Sequence, residues 1–474
     1  MNEKIKKILI NSGYLVSSNL MSMLVSILVV LILPKIIGIR SYGYWQLYLF
    51  YVSYVGFFHL GWIDGIYLKY GGYYFEKLNK KKFFSQFISY FIFQLAITIV
   101  ILIYSLLCIH EENRQFIFFT VAITLLITNL RFFTIYLLQT TNLIKQSSII
   151  TIIDRVAYFL LLLGLLVVGV KNYQYMIYVD IVARMISLIY GIYLCREIVI
   201  NKLTLFKFDF YEIVENIKIG SNLMLSNIAS LLIIGIVRLG IEKNWNIETF
   251  GKVSLTLSIS NLLMVFINAI GIAIFPILKR TDEKQLASIY KRLNHFLTII
   301  LLGLLTTYFP LKIILLKLLP NYKDSIEYMV LIFPMAVFEG KMSLLINTYL
   351  KALRLEKYIL RVNIITVCCS LISTLFLTFI FKNLEFSVLS ILILLIIRCL
   401  LAERVVSNRL EIKVTQDSII EIMLTVIFII SNVFFSSVIA IFIYLVFYVV
   451  YLTFKRKELL FLKDLIVNFR KNKQ

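Results

Sequence analysis

The chain has 474 residues, of which 60% are hydrophobic and 16% are charged, and its formal net charge is +22. Soluble domains average about 45–50% apolar residues, so this composition excludes a soluble protein and indicates an integral membrane protein. In a soluble chain so much positive charge would indicate nucleic-acid binding. Basic cytoplasmic loops beside anionic lipid account for it here, so we expect membrane lipid and no nucleic acid as partners.

Fourteen apolar segments predict fourteen transmembrane helices. A hydrocarbon core of about 30 Å needs about 20 apolar residues in a helix, and tightly packed helices can be shorter. The first segment is too long for a signal peptide and has no small-residue cleavage site, so we interpret it as a span. The approximate spans are 13–38, 44–66, 85–109, 116–139, 147–170, 175–195, 216–240, 250–275, 295–319, 325–349, 360–381, 386–402, 417–432 and 434–454.

Lys and Arg residues are concentrated in every second connection between these spans. Because basic loops stay on the cytoplasmic side, this alternation predicts that both termini are cytoplasmic. The basic set comprises the N-terminus, the loops 67–84, 140–146, 196–215, 276–294, 350–359 and 403–416, and the C-terminal tail.

The segment 417–454 admits two interpretations. It forms either two short spans that turn at Ser431-Asn432 or one long kinked helix. A single helix would place the basic residues of 455–473 outside, against the positive-inside rule. The sequence therefore favours two spans.

The connections exclude several classes of function. A glycan polymerase or ligase usually needs a large loop to hold its carboxylates or histidines, and the outer loops here are short. No Walker A loop is present, the five cysteines lack metal-ligand spacing, and the three histidines lie far apart. We therefore expect a transporter without catalytic residues, cofactor or metal, and a polytopic glycan polymerase or ligase is the alternative.

The chain contains an internal repeat. Ser18-Asn19-Leu20-Met21 opens the first span and Ser221-Asn222-Leu223-Met224 opens the seventh, and each span leads to an aromatic–glycine pair, Tyr42-Gly43 or Phe250-Gly251. Six spans separate the copies, so the sequence predicts two parallel six-helix lobes related about an axis near the membrane normal. The predicted domains are the lobes 1–215 and 216–416, followed by two extra helices and a basic tail in 417–474.

Two stretches resemble a known family. The run from Gly38 through Gln46 to Gly61-Trp-Ile-Asp-Gly65, and the helix from Phe250-Gly251 to Arg280, are similar to the lobe-opening hairpins of Wzx-type polysaccharide flippases. These belong to the multidrug/oligosaccharidyl-lipid/polysaccharide (MOP) exporter superfamily, which includes lipid II flippases. The resemblance implies an all-α polytopic protein with two six-helix lobes in a V and two further C-terminal helices.

The same resemblance implies a function. The protein would move an undecaprenyl-pyrophosphate-linked oligosaccharide across the bacterial plasma membrane by alternating access, for synthesis of capsule, O-antigen or exopolysaccharide. A polysaccharide polymerase and glycosyltransferases would then be its partners. A cation-coupled drug exporter of the same superfamily is the alternative, and it would favour acidic residues over arginines in the cavity.

Cations within the spans are the candidate substrate ligands. A central Arg or Lys costs about 2.5–3.5 kcal/mol on insertion scales, so it must face water, a partner or a ligand. Arginine can hold a pyrophosphate through a bidentate fork. Structural pairing competes with this role, since Asp180 and Arg184 are spaced i, i+4, Asp154 neighbours Arg155, and Arg238 and Arg398 could snorkel to headgroups. The six cations are Arg131, Arg155, Arg184, Arg238, Lys341 and Arg398.

Small polar residues form stripes at helical spacing on several spans. They indicate either a hydrated cavity or the hydrogen bonding that joins membrane helices. Tyr48, Tyr51 and Tyr54 are further candidates for stacking on sugars. The cavity candidates are Asn19, Asn222, Ser254, Ser258, Asn261 and Asn268.

Coupling to a cation would require a carboxylate that binds Na⁺ or a proton. Asp64 and Glu339 are the leading candidates, one in each lobe, with Asp154 and Asp180 as further ones. Alternatively, Asp64 only caps its helix beside the Gly61–Gly65 turn. Glu339 and Lys341 are two positions apart on a helix, so their side chains point in different directions.

The predicted topology can be checked with reporter fusions. Fusions after residues 415 and 474 should report the cytoplasm, and a fusion near residue 383 should report the outside, because the basic tail should not cross the membrane. An external signal at the C-terminus would contradict the fourteen-span topology.

Overall fold

The structure is a computed structural model that describes residues 3–279, 283–412 and 415–456, and no strand occurs within these ranges. The all-α prediction is confirmed. The helices are α1 (Glu3–Ile37), α2 (Ile39–Val55), α3 (Trp62–Tyr70), α4 (Lys80–Cys108), α5 (Glu112–Thr140), α6 (Ile144–Val167), α7 (Tyr173–Leu194), α8 (Arg196–Val199), α9 (Phe210–Asn244), α10 (Ile247–Lys279), α11 (Glu283–Leu304), α12 (Tyr308–Leu318), α13 (Lys323–Ile332), α14 (Met335–Lys341), α15 (Asn347–Ala352), α16 (Glu356–Thr374), α17 (Leu384–Leu410), α18 (Thr415–Phe434) and α19 (Ser437–Phe454).

Eleven helical segments among the described residues are long and apolar enough to cross a membrane, and a twelfth is added by the bent pair α13–α15. The bent pair turns by 44° and corresponds to the predicted span 325–349. The predicted span 44–66 is interrupted, because Leu60 and Gly61 adopt left-handed backbone conformations between α2 and α3. The remaining predicted span, 250–275, corresponds to α10, so each predicted span has a helical counterpart.

The C-terminal segment forms a hairpin of two helices. Asp417 at the start of α18 and Lys455 just after α19 form an ion pair, with Nζ and Oδ1 2.9 Å apart. The start of α18 and the end of α19 therefore lie next to each other, which contradicts the interpretation of 417–454 as one long kinked helix. The predicted position of the turn is wrong, because Ser431 and Asn432 lie within α18 and the break falls at residues 435–436.

The chain folds into two compact units. Unit 1 comprises residues 1–228 and 247–251, and unit 2 comprises residues 229–246 and 252–474. In unit 1, α5 lies at the centre and packs against α2, α3, α4, α6 and α7. In unit 2, α17 packs against α13, α14 and α16, and α11 packs against α14, α18 and α19. Buried polar residues occur on these central helices as well, and neighbouring helices must satisfy them because lipid cannot.

Asparagine side chains begin three of the helices. Asn79, Asn172 and Asn383 precede α4, α7 and α17, and the side-chain oxygen of each accepts a hydrogen bond from a backbone N–H in the first turn. Such a cap satisfies an amide that has no partner within the helix. The local sequence therefore determines where these three helices begin.

Glycines allow two close helix crossings within unit 1. A Cβ added to Gly251 on α10 would lie 2.8 Å from the Cα of Gly43 on α2, so the two aromatic–glycine pairs of the repeat meet. At the second crossing, a Cβ on Gly65 of α3 would overlap the backbone carbonyl of Asn216 on α9, and one on Gly220 would overlap the carbonyl of Gly61. Only glycine permits backbones to approach this closely.

The α3–α9 crossing predicts a position-dependent effect of adding one methyl group. Gly65→Ala should lower the free energy of unfolding by about 1–3 kcal/mol, because the methyl group displaces backbone atoms that cannot rotate away. Gly164→Ala on α6 is the matched control, since nothing lies within 4 Å of its added Cβ. Thermal unfolding of the purified variants in detergent would measure both, and an equal midpoint for Gly65→Ala and the wild type would contradict the crossing.

Candidate functional site

A buried ionic network connects α5, α6 and α7 of unit 1. Arg131 of α5 places its Nη1 2.8 Å from the Oδ2 of Asp154 on α6, and both side chains are buried. On α7, the Nε and Nη2 of Arg184 donate to the Asp180 carboxylate at 2.8 and 3.3 Å. We call these four residues and Arg155 the arginine network.

Polar side chains from α2 and α5 complete the network. The hydroxyl of Tyr48 donates to Oδ2 of Asp180 at 2.7 Å and lies 3.0 Å from the hydroxyl of Thr124. Nη1 of Arg184 donates to Thr128 at 3.3 Å. Tyr48 is fully buried, so it is a ligand of the network and its predicted role in stacking on a sugar is wrong.

The network has one more positive charge than negative charge. It combines three arginines with two aspartates, and the aspartates are occupied by Arg131 and Arg184. Arg155 is the remaining cation: its Nε lies 3.7 Å from Asp154, and 36% of its side chain is exposed. This Nε is itself buried, and among the described residues no group accepts a hydrogen bond from it. Arg155 is therefore the cation of the network whose charge a carboxylate does not fully occupy.

The i, i+4 spacing of Asp180 and Arg184 indicated their pairing, and the structure shows it. The dominant partner of Asp154 was not predictable, because Arg131 lies on another helix. These contacts give Asp154 and Asp180 a structural role. Each carboxylate is already paired with an arginine, so neither offers an unpaired charge to a coupling ion.

The cations of unit 2 are paired differently. Arg398 is buried, and its Nη1 lies 2.9 Å from Oε2 of Glu339 while its other nitrogens donate to Asn363 and Ser230. It does not snorkel to a headgroup, because its side chain points into the unit. Arg238 donates to Ser254 on α10 at 3.0 Å. Glu339 is thus bound to Arg398, and Lys341 is bound to other acids described below.

Some residues of the predicted polar stripes form hydrogen bonds within their own helix, and others are exposed. Ser258 donates to the carbonyl of Ser254 on its own helix, which is a structural role. Asn19, Asn222 and Asn261 are exposed. The side chain of Asn268 lies outside the described residues, although α10 includes its backbone.

Asp64 lies at the third position of α3, where this helix crosses α9. It is buried, and its Oδ2 lies 3.7 Å from Nε2 of His59. A carboxylate in the first turn of a helix interacts favourably with the helix dipole. Both the capping role and the coupling role of Asp64 remain predictions. His59 accepts a hydrogen bond from the Gly61 backbone, so the pair also fixes the turn before α3.

Sequence reasoning missed two functional candidates, Glu403 and Glu421. Both are buried and both contact Lys341. The sequence predicts a loop at Glu403 and the first turns of a span at Glu421, and acids at or near the span ends are the signal that could have found them.

No family model and no curated protein matches the chain. Solved structures do match it. An inward-facing multidrug resistance MATE family transporter of the MOP superfamily has a TM-score of 0.65 at 10% identity, covering 82% of this chain and 94% of the transporter. The lipid II flippase MurJ, in an inward closed conformation, has a TM-score of 0.59 at 14% identity, covering 95% of this chain and 99% of MurJ.

The MATE transporter ClbM in complex with Rb⁺ has a TM-score of 0.51 at 14% identity, covering 85% of this chain and 94% of ClbM. The chain has the fold of these transporters. The comparison confirms the fold that the predicted resemblance implied. At such low identity the comparison does not transfer a substrate.

The Arg131–Asp154 pair predicts a large effect of removing one partner. Asp154→Asn should lower the free energy of unfolding by about 3–5 kcal/mol, because a buried arginine loses its counter-charge. The double variant Arg131→Met with Asp154→Leu should recover most of this loss, since it removes both charges. Thermal unfolding of the purified protein would measure these differences.

The matched control is the exposed pair Lys80–Glu197. The hydrogen bond from Lys80 lowers the pKa of Glu197, yet both side chains are largely exposed. Glu197→Gln should leave the unfolding midpoint unchanged because solvent screens the pair. If Asp154→Asn is equally harmless, the arginine network is not the buried ionic centre described above.

Proposed function

We propose that the protein is a flippase that moves an undecaprenyl-pyrophosphate-linked oligosaccharide from the inner to the outer leaflet of the bacterial plasma membrane. The observation that carries this proposal is the surplus positive charge of the arginine network, in which 36% of the Arg155 side chain is exposed. A transmembrane arginine is costly unless it meets a partner or a ligand. A pyrophosphate is such a ligand.

Each residue of the arginine network would have a separate part in binding. Arg155 would donate to the pyrophosphate through its planar fork, which suits phosphate oxygens better than a lysine point charge. Asp154 and Asp180 would hold Arg131 and Arg184 in place, while the positive charge of these two arginines favours the anion. No covalent bond changes, so the cycle consists of capture, a change in access and release.

The drug exporter of the same superfamily is the second candidate. The MATE comparison with a TM-score of 0.65 favours it. Two observations favour the flippase: the MurJ comparison covers 95% of the chain, and the site has an excess of arginine over acid. Such a site would repel a cationic drug. Glycosyltransferases would act on the same lipid before it crosses the membrane, and a polysaccharide polymerase would act on it afterwards.

Binding of a prenyl pyrophosphate tests the role of Arg155 directly. Arg155→Ala should weaken the binding of undecaprenyl pyrophosphate by about tenfold or more, because a hydrogen bond to a charged group contributes about 1.5–3 kcal/mol. Arg155→Lys should restore only part of this affinity. Equilibrium binding to the purified protein, with undecaprenol as the uncharged comparison ligand, would measure it.

The matched control is Arg404→Ala, which removes an exposed arginine of α17. It should bind as the wild type does, and it should support surface polysaccharide export in a complementation assay that Arg155→Ala fails. Equal affinity of the wild type for undecaprenol and undecaprenyl pyrophosphate would contradict the proposed cargo. So would uptake of a cationic drug by reconstituted vesicles.

A further inference from the structure

Unit 2 contains a buried ionic cluster built around one lysine. Nζ of Lys341, at the end of α14, lies 2.8 Å from Oε1 of Glu403 on α17 and 2.9 Å from both carboxylate oxygens of Glu421 on α18. Each of the three side chains is at most 3% exposed. We call these three residues the lysine cluster.

Neutral hydroxyl groups surround the lysine cluster. Thr298 of α11 donates to Glu421, and Ser418 of α18 donates to Glu403 at 2.7 Å. Tyr290 of α11 donates to the other oxygen of Glu403 at 3.4 Å. None of these groups brings a positive charge to the carboxylates.

The other titratable neighbours do not change the charge balance. Cys399 lies beside the cluster on α17, and a neutral thiol adds no charge. Arg398 also lies on α17, but its charge is balanced by Glu339. With both glutamates ionised, the cluster would hold two negative charges against one positive charge in a region that water does not reach. An uncompensated buried charge costs several kcal/mol, so the site requires one more positive charge.

A proton fits this requirement and a metal ion does not. The ammonium group of Lys341 already occupies the space between the carboxylates and would repel a cation placed there. Among the described residues, no group of three or more His, Cys, Asp or Glu side chains could hold a metal ion. We propose that the lysine cluster is a proton-binding site in which Glu403 and Glu421 share one exchangeable proton.

A second group of titratable side chains lies at the end of the C-terminal hairpin. Asp417 precedes Ser418 on α18 and lies 3.4 Å from Nδ1 of His295 on α11. Nζ of Lys455 lies 2.9 Å from Asp417 and 3.0 Å from the same histidine nitrogen. These three side chains are 12–17% exposed, whereas the cluster is sealed. These more exposed groups would give a proton a route toward the cluster, because Asp417 is followed on α18 by Ser418, which donates to Glu403.

The geometry connects the proton to the movement of helices. The cluster joins α14 and α17 to α18 of the C-terminal hairpin, and a π-helical segment, Met342–Ile346, follows Lys341 directly. π-Helical turns recur at functional sites because they let a helix shift its register. Losing the proton would leave a net buried charge and favour a conformation that admits water. This role in coupling rests on the proposed flippase function, whereas the bound proton does not.

Infrared spectroscopy detects the proton without any cargo. In a maltoside detergent, which has no carbonyl group of its own, the wild type at neutral pH should show the C=O stretch of a protonated carboxyl group, shifted in D₂O. The charge count makes an unusual prediction for the variants. Either Glu403→Gln or Glu421→Gln alone should remove the part of the band that comes from the cluster, because the remaining glutamate and Lys341 are then neutral as an ion pair.

Two further variants sharpen this experiment. Lys341→Met should about double the band, because two buried carboxyl groups without a cation must both be protonated. Glu356→Gln, an exposed acid of α16, is the control and should leave the band unchanged. Absence of the band in the wild type, or a band of undiminished intensity in either glutamine variant, would overturn the proposal. The single glutamine variants decide the matter even if Lys341→Met does not fold.

Transport in vesicles separates the proton site from the proposed function. With an imposed pH gradient, flipping of a prenyl-pyrophosphate oligosaccharide by the wild type should follow the gradient, and Glu421→Gln should flip at a rate indifferent to it. Flipping that ignores the gradient in the wild type would overturn the coupling role. If the infrared result holds while no prenyl pyrophosphate is moved, the cargo assignment fails and the proton site stands.

Discussion

The energetic cost of a buried charge in a membrane protein is the constraint on which the structure depends. Neither lipid nor the packed interior of a helix bundle can solvate an ion, so every buried cation must face a carboxylate, a hydroxyl group or a ligand. The helices obey this condition: Arg131, Arg184 and Arg398 each contact an acid within 3 Å. The helix packing that brings these partners together also leaves the arginine network and the lysine cluster with unbalanced charge.

The two imbalances have opposite sign and lie in different units. The arginine network of unit 1 has a surplus cation, Arg155, which is the group exposed enough to meet an anion. The lysine cluster of unit 2 has a surplus carboxylate that no water reaches. An exposed surplus suits a large charged ligand, whereas a sealed one suits only a proton. The proposed substrate site and the proposed proton site are thus separate consequences of the same physical requirement.

The glycine crossings show what else the packing depends on. The α2–α10 and α3–α9 crossings bring backbones into contact, and the residues that allow this are Gly43, Gly251, Gly65 and Gly220. In the sequence, the first two appear only as members of an aromatic–glycine repeat. The structure gives the repeat a physical reason, since its two copies meet at one crossing.

Local sequence patterns predicted the fold better than they predicted the site. Hydrophobic length and alternating charge were sufficient for the all-α polytopic fold, and the i, i+4 spacing predicted the Asp180–Arg184 pair. The break between α2 and α3 was missed, because it depends on left-handed backbone at Leu60 and Gly61. The contacts Arg131–Asp154 and Lys341–Glu421 join residues of different helices, and no periodicity within one helix specifies them.

The surplus charge of the arginine network is the central claim, and a structure with bound ligand tests it most directly. A cryo-electron microscopy map of the purified protein with undecaprenyl pyrophosphate should show the two phosphates within hydrogen-bond distance of the Arg155 guanidinium, with Arg131 and Arg184 still paired to their aspartates. Pyrophosphate density away from α5, α6 and α7, with Arg155 in contact only with lipid tails, would contradict the account.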